Sequence, residues 1–149
     1  MKQNEKLQQN PIVAFAYTGQ NKGEYGVSGF SNALRIDKEW GYELIHQNHG
    51  LYCCKLLHIK AYSSCSFHLH LEKHETLLVT EGTLYIDTTH NKTKETITVT
   101  EGNAFVVAPG FIHSLRAEKD AVTLIETSTP SYDTDSIRIA DGYNTDRNK

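Results

Sequence analysis

The sequence predicts an all-β domain, a sandwich or barrel, on three observations. Apolar and β-branched residues come in short runs, Gly, Asn, Asp and Ser punctuate those runs, and helical spacing of apolar positions is almost absent. Strands are expected at 33–36, 41–46, 51–59, 65–70, 75–80, 83–87, 95–100, 104–107, 112–117 and 122–127. Glu81-Gly82 and His90-Asn91-Lys92 read as hairpin turns and Pro109-Gly110 as a further turn. Many short strands at this spacing suit two packed sheets or a closed barrel.

At 149 residues the chain is one domain's worth, enough for a single substantial core. Residues 1–32 read as an N-terminal arm and glycine-bearing loop, 33–127 as the barrel, and 128–149 as a polar C-terminal tail without periodic apolar positions. The formal charge of −3 is spread along the chain, which gives no electrostatic case for nucleic acid or an anionic membrane as partner. No apolar run reaches membrane-spanning length and the first six residues lack the apolar core of a signal peptide, so a cytoplasmic protein is expected. Cys53 and Cys54 are adjacent and face opposite ways on a strand. With Cys65 they read as small buried hydrophobes in a reducing compartment.

Strand alternation assigns faces. Lys55 shares a face with Cys53, Leu57 and Ile59, Glu75 with Leu77 and Val79, and Glu126 with Val122 and Leu124. Three ionisable groups on apolar faces predict a polar cavity inside the barrel. A snorkelling lysine at a strand edge is an equally good reading of Lys55.

His68 and His70, two apart on one strand, point to the same side. A carboxylate from the next strand, Glu75, and a third imidazole, His113, would complete a metal site. Three imidazoles and a carboxylate suit one divalent transition metal (Mn, Fe, Ni, Co or Zn). With an open position such a site polarises a carbonyl. Eight histidines in the chain can pair by accident, but this pair is followed by an acid at hairpin distance, a Gly turn, and then a Gly…Pro-Gly…His block.

Tyr62-x5-His68-x-His70-x4-Glu75-x6-Gly82 and Gly102-x5-Ala108-Pro109-Gly110-x2-His113-x3-Ala117 together resemble the two motifs of the cupins. All four metal-ligand positions of that family are occupied. Tyr62, Ala108 and Ala117 depart from its usual Gly, Pro and Asn. The resemblance implies a jelly-roll barrel, the double-stranded β-helix, and it favours Glu75 over His74 as the fourth ligand. Upstream, Lys38-Glu39-Trp40-Gly41-Tyr42-Glu43 and Tyr52-Cys53-Cys54-Lys55-Leu56-Leu57 are similar to small cupins of the mannose-6-phosphate-isomerase type, which tilts the substrate toward carbohydrates.

The expected function is a metal-dependent sugar or sugar-phosphate isomerase or epimerase. Lys55, Glu126, Glu43 and Tyr85 are the candidates to move protons or clasp a phosphate. An Fe(II) dioxygenase or lyase of the cupin type, and a non-catalytic sugar-binding module, are the alternatives that the same residues leave open. A small-molecule partner is expected, and the resemblance also implies a homodimer.

Overall fold

The computed structural model describes residues 33–90 and 93–142. Eleven strands follow in order: β1 (Leu34–Lys38), β2 (Gly41–Asn48), β3 (Cys53–Ile59), β4 (Phe67–His70), β5 (Glu75–Glu81), β6 (Thr83–His90), β7 (Thr93–Thr100), β8 (Ala104–Val107), β9 (His113–Arg116), β10 (Val122–Ser128) and β11 (Ser136–Ala140). A 3-10 turn, Asp133–Asp135, precedes the last strand. The strands form two antiparallel sheets, one ordered β1-β2-β3-β10-β5-β8 and the other β11-β4-β9-β6-β7. This is the expected all-β jelly roll. Its chain neighbours in space are distant in sequence, because β10 inserts between β3 and β5 and β9 between β4 and β6.

The core lies between the sheets and follows from alternation. Ile59, Leu77, Val79, Leu84, Ile86, Val122 and Leu124 are fully buried, each separated from the next inward residue of its strand by one that faces out. Leu124 is fully buried on β10, which is paired on both sides within its sheet, by β3 and β5. Leu124→Ala is expected to lower stability by about 2–5 kcal/mol, read as a drop in urea midpoint at unchanged slope.

Local backbone chemistry holds the turns. Gly82 joins β5 to β6 at φ +85°, and a Cβ there would lie 2.6 Å from the Ala121 carbonyl oxygen. Tyr62 stands where the family motif has glycine and still adopts φ +55°. The motif geometry therefore survives the departure, at the cost that any side chain meets in the left-handed region.

The C-terminal stretch differs from the expected polar tail. After β10 the chain is clamped at Ser131 by buried Asn48, whose amide donates to the Ser131 carbonyl (2.9 Å) and accepts from its N–H (3.0 Å). It then returns as β11, pairing antiparallel with β4 through Ser136↔His70 and Arg138↔His68. All five residues of β11 are exposed, and its one apolar pair, Ile137 and Ile139, alternates over too short a stretch to stand out as a strand. Backbone pairing with β4 supplies its order, with the Asn48 clamp before it. The arm at 1–32 and residues 91 and 92 of the expected β6–β7 turn lie outside the described residues.

Candidate metal centre

β4 carries His68 and His70 inward and pairs with β9 so that His68 and His113 are direct cross-strand partners. Three imidazoles thus come from one sheet, and each offers a nitrogen within 4.8 Å of the others. Glu75 reaches them from the opposite sheet. Its Oε1 is 3.6 Å from His70 Nε2 and its Oε2 is 3.7 Å from His113 Nε2. His74 is exposed, as alternation requires once Glu75 points inward.

The rings are oriented from behind. His68 Nδ1 lies 2.7 Å from the Ser66 carbonyl oxygen and His113 Nδ1 lies 2.9 Å from that of Phe111. Both nitrogens donate to those carbonyls, which leaves both Nε2 lone pairs turned to the common point. Burial lowers the affinity of all three rings for a proton. His70, with Lys73 beside it, falls to about 4, His113, with His68 beside it, also to about 4, and His68 shifts in the same direction. Neutral, preoriented imidazoles beside a carboxylate fit a divalent transition metal.

These shifts set a pH dependence for the metal-free protein. Unfolded histidine titrates near 6.5, so below that pH the unfolded chain binds protons that the folded rings refuse until about 4. Stability is therefore full above the unfolded value and falls as pH drops from 6.5 toward 4. Glu75, raised by burial and by the neighbouring Glu126, opposes this as one group against three. A urea midpoint that declines across this interval is the expected result, and a flat profile would show that the rings are hydrated.

A chain of alternating charges runs away from the imidazoles. Lys73 Nζ contacts Glu75 and sits 2.5 Å from Glu126 Oε1. Glu126 Oε1 is 3.8 Å from Lys55 Nζ, which is 3.6 Å from Glu43 Oε2. Glu43 Oε1 is in turn 3.9 Å from Lys38 Nζ. The first sheet builds this directly, since Glu126 and Lys55 are cross-strand partners on β10 and β3. Burial alone would raise the Glu126 carboxyl, but Lys55 and Lys73 hold it down to about 2. Lys55 is likewise held as an ammonium by Glu126 and Glu43 against the pull of burial. The chain lines a cavity of about 860 Å³, with Trp40, Tyr132 and Arg138 among its other walls, a size that suits a small molecule.

Seven of the eight residues singled out from sequence come together here: His68, His70, Glu75, His113, Lys55, Glu126 and Glu43. Tyr85 does not. Its neighbours Leu84 and Ile86 fill the core, so Tyr85 faces outward, with the Arg116 guanidinium 5.0 Å from its ring. Two residues escaped the sequence reading. Lys73 is two before Glu75, and the same alternation extended by one step would have put it on the inward face. Asp135 had no such signal. Cys65 lines the cavity, and burial pushes its thiol and that of Cys53 up to about 11, which keeps both protonated and unreactive.

No helix among the described residues is long and apolar enough to cross a membrane. No curated protein matches the chain in sequence. Among solved structures it is similar in fold to oxalate decarboxylase from Bacillus subtilis, at 14% identity and a TM-score of 0.65, covering 91% of this chain and 37% of that one. It is also similar to the capsular polysaccharide assembling protein CapF from Staphylococcus aureus, at 17% identity and a TM-score of 0.59, covering 74% and 31%. A cupin-2 domain protein from Shewanella frigidimarina shares 22% identity at a TM-score of 0.51, covering 64% of this chain and 85% of that one. The chain therefore spans little more than a third of the decarboxylase and less than a third of CapF. The sequence profile described as Cupin matches residues 31–144, which takes in both histidine motifs and the returning strand β11, and the chain belongs to the cupin family.

Proposed function

We propose that this chain is a metal-dependent isomerase or epimerase acting on a carbohydrate, and that the sugar is a neutral one. The observation that supports this reading is the alternating chain Lys73–Glu126–Lys55–Glu43 beside the three imidazoles. Moving a carbonyl between adjacent carbons needs hydrogen-bond donors and acceptors interleaved along a polyol, and a group to exchange a proton. Lys55 and Lys73 donate, and Glu43 and Glu126 accept. His68, His70, His113 and Glu75 would hold the metal, which supplies Lewis-acid polarisation of the sugar carbonyl when bound.

The charges favour an uncharged substrate. Of the cations along the described cavity wall, Lys38, Lys55 and Lys73 are paired with glutamates and Arg138 with Asp141. A phosphate entering the cavity would compete with carboxylates already in place, and its desolvation would go uncompensated. Among the carboxylates, Glu43 is the better base. Glu126 is clamped at 2.5 Å by Lys73, whereas Glu43 makes only longer contacts, at 3.6 and 3.9 Å, and is more open to the cavity. A homodimer is part of this reading, supported by exposed Ile137 and Ile139 on edge strand β11.

The test is deuterium exchange. Metal-loaded protein is incubated in heavy water with a panel of aldoses, ketoses and their phosphates, and deuterium at C1 or C2 is followed by NMR. Exchange into an unphosphorylated sugar that is abolished in Glu43→Gln supports the reading. Exchange confined to sugar phosphates overturns the neutral-sugar assignment. Exchange with none of the panel, together with oxygen uptake by the iron-loaded protein, overturns the isomerase.

A further inference from the structure

We propose that Asp135, on the turn before β11, is the positioning carboxylate of the metal centre, holding His70 in the tautomer that ligates. Three observations converge on it. His68 and His113 each donate Nδ1–H to the backbone carbonyl two residues earlier, at 2.7 and 2.9 Å. His70 has no such acceptor, and its Nδ1 is a buried side-chain atom without a hydrogen-bond partner. The Asp135 carboxylate faces it, with Oδ2 3.7 Å from that Nδ1. A small rotation of the ring closes this gap to a hydrogen bond.

The carboxylate is itself fixed. Oδ1 accepts from the backbone N–H groups of Leu71 (3.0 Å) and Glu72 (2.9 Å), and Oδ2 accepts from that of Lys73 (3.0 Å). Asp135 thus ties down the segment linking His70 to Lys73 and Glu75 while presenting its remaining lone pair to the imidazole. The next residue, Ser136, pairs with His70 itself across β11 and β4. A carboxylate behind a ligating imidazole fixes which nitrogen carries the proton and makes the other a stronger donor to the metal. The C-terminal stretch is therefore part of the metal centre. This holds whatever the substrate, so its failure and that of the isomerase reading are separable.

Asp135→Asn tests the inference, because the amide keeps the size of the side chain and can retain the bonds to Leu71 and Glu72 through its oxygen, losing only the one from the Lys73 N–H. Its NH₂ then faces His70 Nδ1 and donates to it, which forces the proton onto Nε2. In the metal-free protein, nitrogen-15 shifts are expected to show His70 protonated at Nδ1 in wild type and at Nε2 in the variant. Zn²⁺ affinity, measured by competition with a chelating dye, is expected to fall about 10–100-fold. A purely structural role for Asp135 would lower stability and leave the tautomer alone. Wild-type His70 protonated at Nε2, or unchanged Zn²⁺ affinity in folded Asp135→Asn, would overturn the proposal. Should the variant not fold, the wild-type tautomer decides by itself.

Discussion

Glu126→Ala is expected to destabilise the metal-free protein by about 3–5 kcal/mol, the cost typical of breaking a buried ion pair from one side. Glu126 is buried and is the only carboxylate that both Lys55 and Lys73 contact among the described residues. Removing it leaves two ammonium groups facing each other across a cavity with Glu43 and Glu75 at the far ends. Urea denaturation at neutral pH measures the loss. The double variant Glu126→Leu with Lys55→Met is expected to recover much of it, because deleting both charges also deletes their desolvation. A loss below about 1 kcal/mol in the single variant would mean that water solvates the chain as it does a surface pair.

His113→Ala is expected to weaken metal binding by more than the roughly 10–100-fold typical of losing a partner behind a ligand, because it would remove one of the three imidazoles that could hold the ion. The ring is 1% exposed with its Nδ1 committed to the Phe111 carbonyl, and among the described residues the candidate metal-binding histidine cluster is His68, His70 and His113. His74→Ala is the matched control. His74 is exposed, and the one contact its backbone makes to a side chain, with Thr129, survives the change. Metal content of protein purified without added metal, followed by titration with Mn²⁺ and Zn²⁺, reads both variants. Equal loss in the two would show that the cluster does not bind metal through His113.

Much of this site was legible before folding because it depends on alternation. His68 and His70 share a face, as do Glu75 with Leu77 and Glu126 with Leu124, since the pleat repeats every second residue. That local rule set the inward direction of Glu75, Lys55 and Glu126; Glu43 was a candidate without an assigned face, and Lys73 lies just outside the strand as read from sequence. The same rule also put Tyr85 outside, had Leu84 and Ile86 been weighed as the inward pair. The resemblance to the cupin motifs added Glu75 as the proposed fourth ligand and the jelly roll.

The faces of Lys55, Glu75, Glu126 and the His68–His70 pair could be read in advance, because a face is a property of a few consecutive residues. Which of these groups meet depends on strand pairing between distant parts of the chain. Glu126 lies against Lys55 because β10 pairs with β3, and His113 against His68 because β9 pairs with β4. Asp135 reaches His70 because β11, exposed and with only Ile137 and Ile139 as large apolar residues, returns to the edge of β4. The strand's place is set by backbone pairing with β4 and by the Asn48 and Asp135 side chains, whose partners lie more than sixty residues away in the chain and so leave no local pattern to read.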